Sequence, residues 1–279
     1  MVQCNYTHKS YSIFGKLMTK KEQLLKQKLE YHYKYFDYSQ ISPDPLQFLH
    51  NYKNYYDIEI SGLLSSVFAY GNVKQIINTL EKLHKIMGEQ PYEFVQNYNH
   101  KKDKKLFNGL VHRFYSSEDI ANLLNGLNKI YNTYGSLKKL FLLYYFQEEE
   151  HLKNAIHFYS RNMTEIISDH KTPSMGVVFM FPDPCKGSAC KRTNLFLRWM
   201  VRNDQLDFGL WNEIPTSKLV IPVDTHIAKI CKELKLTKQN NVSWKMAEEI
   251  TDNLKKFDSN DPVKYDFAIC HIGIRKMQF

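Results

Sequence analysis

The 279-residue sequence predicts an all-α fold. Three observations predict it. Apolar residues recur at helical spacing along most of the chain, capping residues and glycine stops bracket those stretches, and no run alternates with the two-residue period of a half-buried strand. The length suits one large domain or two small ones, either with a substantial core.

The elements follow in order. A first amphipathic helix covers about 15–33, with Leu17, Leu24, Leu25 and Leu29 inward and lysines outward. The "SPDP" at 42–45 breaks it and starts a short helix, since proline is tolerated in a first turn. Asp57 reads as the cap of the apolar helix "DIEISGLLSSVFAY", which stops at Gly71. Asn72 caps the next helix and Gly88 ends it, with Val73, Ile76, Ile77, Leu80, Leu83 and Ile86 as its core stripe. The basic "HKKDKK" at 100–105 reads as a solvated loop, with a phosphate clamp as the alternative. Ser116 and Asp119 stand at capping-box separation and open a helix that runs to Gly135. Helices are expected at 136–146 and 148–167. The segment 171–190, "KTPSMGVVFMFPDPCKGSAC", carries three of the nine prolines and marks a boundary. A helix from Lys191, a connector through Trp211 and Pro215, a helix opening at Asp224 and two last helices near 242–256 and 262–276 complete the chain.

An apolar fraction of 43% with 24% charged residues fits a folded cytoplasmic protein. "MVQCNYTHKS" does not read as a secretory leader, and apolar runs such as "LFLLYYF" fall short of the roughly 20 residues that span a bilayer, so no membrane partner is expected. The net charge of +9 and pI near 9.1 favour polyanionic partners, nucleic acid first. Cys4, Cys185, Cys190, Cys231 and Cys270 form no CxxC pair and read as reduced thiols. Cys185 and Cys190 are close enough for half a metal site, but no nearby ligands complete it. The expectation is no metal and no cofactor.

Lys191, Arg198 and Arg202 share one helix face, at offsets of about −20° and +20° from Lys191 for the two arginines. Phe196 and Met200 lie opposite and Trp199 flanks them. Such a basic stripe either follows a phosphate backbone or is the wet side of a core helix. A lysine acting as a nucleophile must lose its proton, against an ordinary pKa of about 10.4. Asp224, just after Pro222, is an ideal N-cap, and a carboxylate there is also held charged by the helix dipole. His226 stands close by.

"IPVDTHIAKICKELKL" resembles the segment of helix-hairpin-helix DNA glycosylases in which a catalytic aspartate follows a Val-Pro-Val-like run and opens a helix. In the glycosylase/lyase members a catalytic lysine begins the helix after the hairpin. Lys191 occupies that place, 33 positions before Asp224. With "GSACKRTNLFLRWMVR", "GLWNEIP", "KYDFAICHIGI", "EISGLLSSVFAYGN", "HRFYSSEDI" and "YGSLKKLF", the sequence resembles the bacterial DUF2400 proteins over nearly its whole length. It is more distantly similar to archaeal-type 8-oxoguanine glycosylases.

The resemblance implies a two-subdomain, helix-hairpin-helix glycosylase-like fold. Residues 1–60 with 205–279 would form one lobe and 61–204 the other, with Lys191 and Asp224 in the cleft. It implies a monomeric, nucleoid-associated repair enzyme acting on double-stranded DNA, with 8-oxoguanine the expected excised base. Lys191 would form a Schiff base, and Asp224 would activate it and stabilise the cationic sugar. Lys186, Gly187, Arg192, Arg198 and Arg202 would contact DNA. Tyr70, Trp199 and Trp211 would line a base pocket, with core packing as their other role. Two features depart from the pattern: "PDPCKGSACK" has Gly187 alone where the usual hairpin reads like Leu-Pro-Gly-Val-Gly, and the four-cysteine iron-sulfur loop of some relatives is missing. A non-catalytic nucleic-acid-binding protein and an unrelated helical hydrolase or metal enzyme are the rival readings.

Overall fold

The computed structural model describes residues 18–274 apart from residue 36, with side chains described up to residue 270. Expectations at Cys4, at Leu17 and at 275–276 lie outside the described residues. The described chain is helical, with two isolated bridges, His112–Tyr115 and Asn203–Phe208, as its β-type pairings. None of its helices is long and apolar enough to cross a membrane.

In chain order the helices are α1 (Lys20–Tyr35), α2 (Tyr55–Phe68), α3 (Val73–Met87), α4 (Pro91–Asn97), α5 (His100–Asp103) and α6 (Ser117–Tyr134). Then follow α7 (Leu137–Leu142), α8 (Lys153–Ile167), α9 (Met175–Met180), α10 (Lys191–Val201), α11 (Thr225–Glu233), α12 (Trp244–Lys255) and α13 (Asp266–Ile274). Short 3-10 turns, including Pro45–Asn51 and Pro184–Lys186, connect them.

Several boundaries move for identifiable reasons. Thr19 and Glu22 cap each other reciprocally and start α1 at Lys20. Asn54, not Asp57, caps α2, its side chain accepting from the Tyr56 amide. Asp57 instead accepts the Tyr92 amide at 2.7 Å and so ties α2 to the first turn of α4. The basic 100–105 stretch is α5 followed by a 3-10 turn, started by the Asn99 side chain, with its four lysines exposed. The Ser116–Asp119 capping box, the left-handed Gly135 and the Asn72 and Gly88 termini are as the sequence predicts.

Helix α2 is buried from Asp57 to Phe68, and Pro45–Asn51, α3, α4 and α10 pack against it. Gly62 permits the α2–α10 approach: a Cβ there would lie 2.9 Å from the Met200 side chain and 3.3 Å from Phe196. Helix α6 packs on α4 and α8, while α1 and α11 both pack on α13. These contacts set α10 and α11, which begin at Lys191 and just after Asp224, against a common core.

One buried carboxylate joins distant segments. Glu59 of α2, fully buried, accepts from Tyr131 Oη at 2.6 Å, the Leu137 and Lys138 amides at 3.0 Å and Trp211 Nε1 at 2.9 Å. Burial pushes its pKa above the ordinary carboxylate range, and these donors oppose that shift.

Candidate active site

Two helix starts build the site. The run Leu219–Val223 is buried and forms neither helix nor strand, and it delivers Asp224 as the N-cap of α11. Oδ1 of Asp224 accepts the His226 and Ile227 amides, both at 2.9 Å. Oδ2 lies 2.7 Å from Nζ of Lys191, the first residue of α10. The capping and chemical roles weighed for Asp224 thus fall on different oxygens of one carboxylate.

Lys191 and Asp224 keep 32% and 34% of their side-chain surface exposed, so the pair is enclosed on most sides yet reachable. Burial opposes the ammonium, and so does the positive end of the α10 dipole. The Asp224 carboxylate outweighs burial and raises the Lys191 pKa above its ordinary value, with Cys270 and Asp266 of α13 adding to that shift. Burial likewise opposes the Asp224 charge, but Lys191 and the two capping amides hold its pKa below the ordinary carboxylate range. At rest the proton therefore sits on the lysine. Attack by Nζ requires its transfer, and Oδ2 is the adjacent acceptor.

The basic stripe is not wet. Arg198 and Arg202 are 3% and 4% exposed and surrounded by carboxylates. Arg198 pairs with Asp207 at 3.2 Å and with Asp266. Arg202 pairs with Asp204 at 2.9 Å, with Asp261 at 3.0 Å and with Asp207. These guanidiniums clamp the end of α10 to the 204–207 loop and to the start of α13, and neither is placed to reach a phosphate. Trp199 and Trp211 are fully buried, so they are core residues in this conformation and not walls of an open pocket.

Arg192 is also buried, donating to the Phe179 carbonyl and lying 4.3 Å from the Phe179 ring centroid and 5.1 Å from that of Tyr70. Tyr70 is half-buried and belongs to an aromatic–arginine cluster that reaches the surface. Phe114 stacks on it at 6.3 Å, Phe179 meets it edge-on at 5.0 Å, and Arg113 lies 5.4 Å from its ring. Phe114 is 62% exposed. Arg113, Phe114 and Phe179 were missed as site candidates; the only sequence signal was "HRFY", where an arginine and aromatics precede a helix cap.

Lys186 and Gly187 are exposed on the turn before α10. Gly187 takes the left-handed conformation (φ 88°), and so does Cys190 (φ 48°), a residue type that rarely does. The Lys186 and Gly187 amides donate to the Asp183 and Pro184 carbonyls, and the Gly187 carbonyl accepts the Trp244 amide at 3.1 Å. The turn therefore offers the Lys186 ammonium outward and not those two amides. The Cys190 thiol is buried and pushed up to about 12, donating to the Pro182 carbonyl at 3.1 Å.

A family model described as a protein of unknown function (DUF2400) matches residues 44–275, a span that holds both Lys191 and Asp224. No curated protein and no solved structure matches the chain.

Proposed function

The chain belongs to the DUF2400 family, and from that premise we propose that it is a DNA-repair glycosylase with abasic-site lyase activity, acting through Lys191. The observation that carries the reading is the Lys191–Asp224 pair. Two residues 33 positions apart meet at 2.7 Å, each at a helix start, each partly open to solvent, in the order and setting of a glycosylase/lyase lysine and aspartate.

The proposed substrate is double-stranded DNA with a damaged base, 8-oxoguanine first, flipped out of the stack because C1′ is shielded inside the duplex. Covering the site with DNA removes water and further disfavours the ammonium. Lys191 passes a proton to Asp224 Oδ2, and its free electron pair attacks C1′. The glycosidic bond breaks, with its electrons leaving on the base, which takes up a proton. The C1′–O4′ bond then opens, O4′ gains a proton, and Nζ loses one to leave a protonated Schiff base. Loss of a C2′ proton expels the 3′-phosphate, and water releases the lysine. Asp224, charged again, stabilises the cationic stages.

Borohydride reduction traps the Schiff base. The expected result is a covalent adduct with an 8-oxoguanine or abasic duplex and none with Lys191→Ala; no adduct on oxidised, deaminated, alkylated or abasic substrates overturns the lysine mechanism. The Tyr70–Phe114–Phe179 cluster with Arg113 favours a second reading, a nucleic-acid-binding protein without catalysis. That reading expects DNA binding with no trapping.

A further inference from the structure

We propose that His157, Asp183 and Cys185 form a site for a zinc-class divalent cation, which ties the turn preceding Lys191 to α8. The three ligand atoms lie within 4.8 Å of one another. His157 Nδ1 and Asp183 Oδ1 are 2.8 Å apart, and the Cys185 amide donates to the same Oδ1 at 2.8 Å, fixing the carboxylate. One ligand comes from α8, and two flank Pro184 where the 3-10 turn begins.

The donor set suits the ion. Imidazole, carboxylate and thiolate are its ordinary ligands at about 2.0–2.3 Å, which places neighbouring ligands roughly 3–4 Å apart in a tetrahedron. The thiolate and carboxylate together neutralise a double charge. His157 and Asp183 are mostly enclosed, with 19% and 13% of their side-chain surface exposed, whereas Cys185 is exposed and gives an access path and room for a water as fourth ligand. Binding releases the thiol proton of Cys185 and leaves His157 neutral, with its proton on Nε2. Cys185 thus finds its partners in His157 and Asp183, and not in Cys190, whose thiol is turned to Pro182. This replaces the expectation of no metal, and it holds whether or not Lys191 is a nucleophile.

The test is titration of the metal-stripped full-length protein with Co²⁺, followed by Zn²⁺ competition. The expected result is one equivalent bound, with a thiolate-to-cobalt charge-transfer band that Zn²⁺ abolishes. Cys185→Ser removes the band, and both it and His157→Ala weaken Zn²⁺ binding by more than the roughly 10–100-fold that loss of an outer partner costs. Cys190→Ser keeps the band, as does His151→Ala, which breaks the separate Glu150–His151–Asp252 group. Zn²⁺ also slows amide exchange across 183–190. Absence of the band, its survival in Cys185→Ser, unchanged affinity in His157→Ala, or unchanged exchange overturns the proposal.

Discussion

Asp224 meets Lys191 with one carboxylate oxygen and its own helix with the other: Oδ2 lies 2.7 Å from Nζ, while Oδ1 holds the His226 and Ile227 amides. That division lets substitutions separate the cap from the chemistry.

Asparagine caps a helix about as well as aspartate, whereas alanine does not. Asp224→Asn is therefore expected to shift the unfolding free energy by less than about 1 kcal/mol, because the ion pair it removes is a third exposed. Its single-turnover rate of borohydride-trapped adduct formation should fall by about 10²–10⁴-fold, the range for loss of a general base. Asp224→Ala should lose the rate equally and about 1 kcal/mol more stability. An Asp224→Asn protein that traps at the native rate denies the carboxylate its role.

The pH dependence of trapping carries a sign. Asp224 raises the Lys191 pKa against burial, so the native rate should climb with pH towards a value above the ordinary lysine range. In Asp224→Asn the largest upward influence is gone, leaving Cys270 and Asp266 against burial and the dipole, and the residual rate should level off at lower pH. A profile shifted the other way contradicts the assignment of the titrating group.

Arg202→Ala should act on folding. It leaves Asp261 without its guanidinium and Asp207 with Arg198 alone, and breaking a buried pair from one side costs about 3–5 kcal/mol; urea unfolding measures it. Lys186→Ala, on an exposed turn, should leave stability within about 0.5 kcal/mol of native. It should lower the salt slope of DNA binding by about 0.9, as one lost phosphate contact does. An unchanged slope removes Lys186 from the DNA-facing surface.

His84 is buried, hydrogen-bonded to Tyr52 Oη at 2.8 Å and stacked on Phe48. Burial lowers its pKa from 6.5 to about 4, so the folded state binds its proton less readily than the unfolded state. The stability this contributes is full above pH 6.5 and is lost as pH falls from 6.5 to 4, a drop of about 3 kcal/mol. His50 and His112 are shifted the same way by burial and steepen the decline. Chemical denaturation across that range should show it, and His84→Gln should remove the His84 share.

Local signals were legible where the chain satisfies its own polar groups within a few residues. The Ser116–Asp119 box, the Asn72 cap, the Gly135 stop and the Asp224 cap are all bonds between near neighbours, and the sequence shows both partners. Periodicity placed Lys191, Arg198 and Arg202 on one face, but it cannot say what lies opposite. Four carboxylates from two separate segments, Asp204, Asp207, Asp261 and Asp266, close over the two arginines and turn a supposed wet stripe into a core network. Asp57 was misread for the same reason, since its partner is Tyr92, 35 residues away. His157 escaped notice because its neighbours Asp183 and Cys185 become neighbours only when α8 packs on the Pro184–Lys186 turn.

The Glu59 junction also governs the order in which the molecule can assemble. Beside the local Tyr55 hydroxyl, its donors are 72, 78, 79 and 152 positions further along the chain. Until Trp211 arrives, a nascent or truncated chain that collapses around α2 must hold a carboxylate short of one donor in its interior, so early compact states are penalised and the last donor locks the rest. Contacts of such long sequence separation slow folding, because loop closure precedes their reward. The segment 61–204 expressed alone lacks both Glu59 and Trp211, and it should fail to melt as an independent cooperative unit.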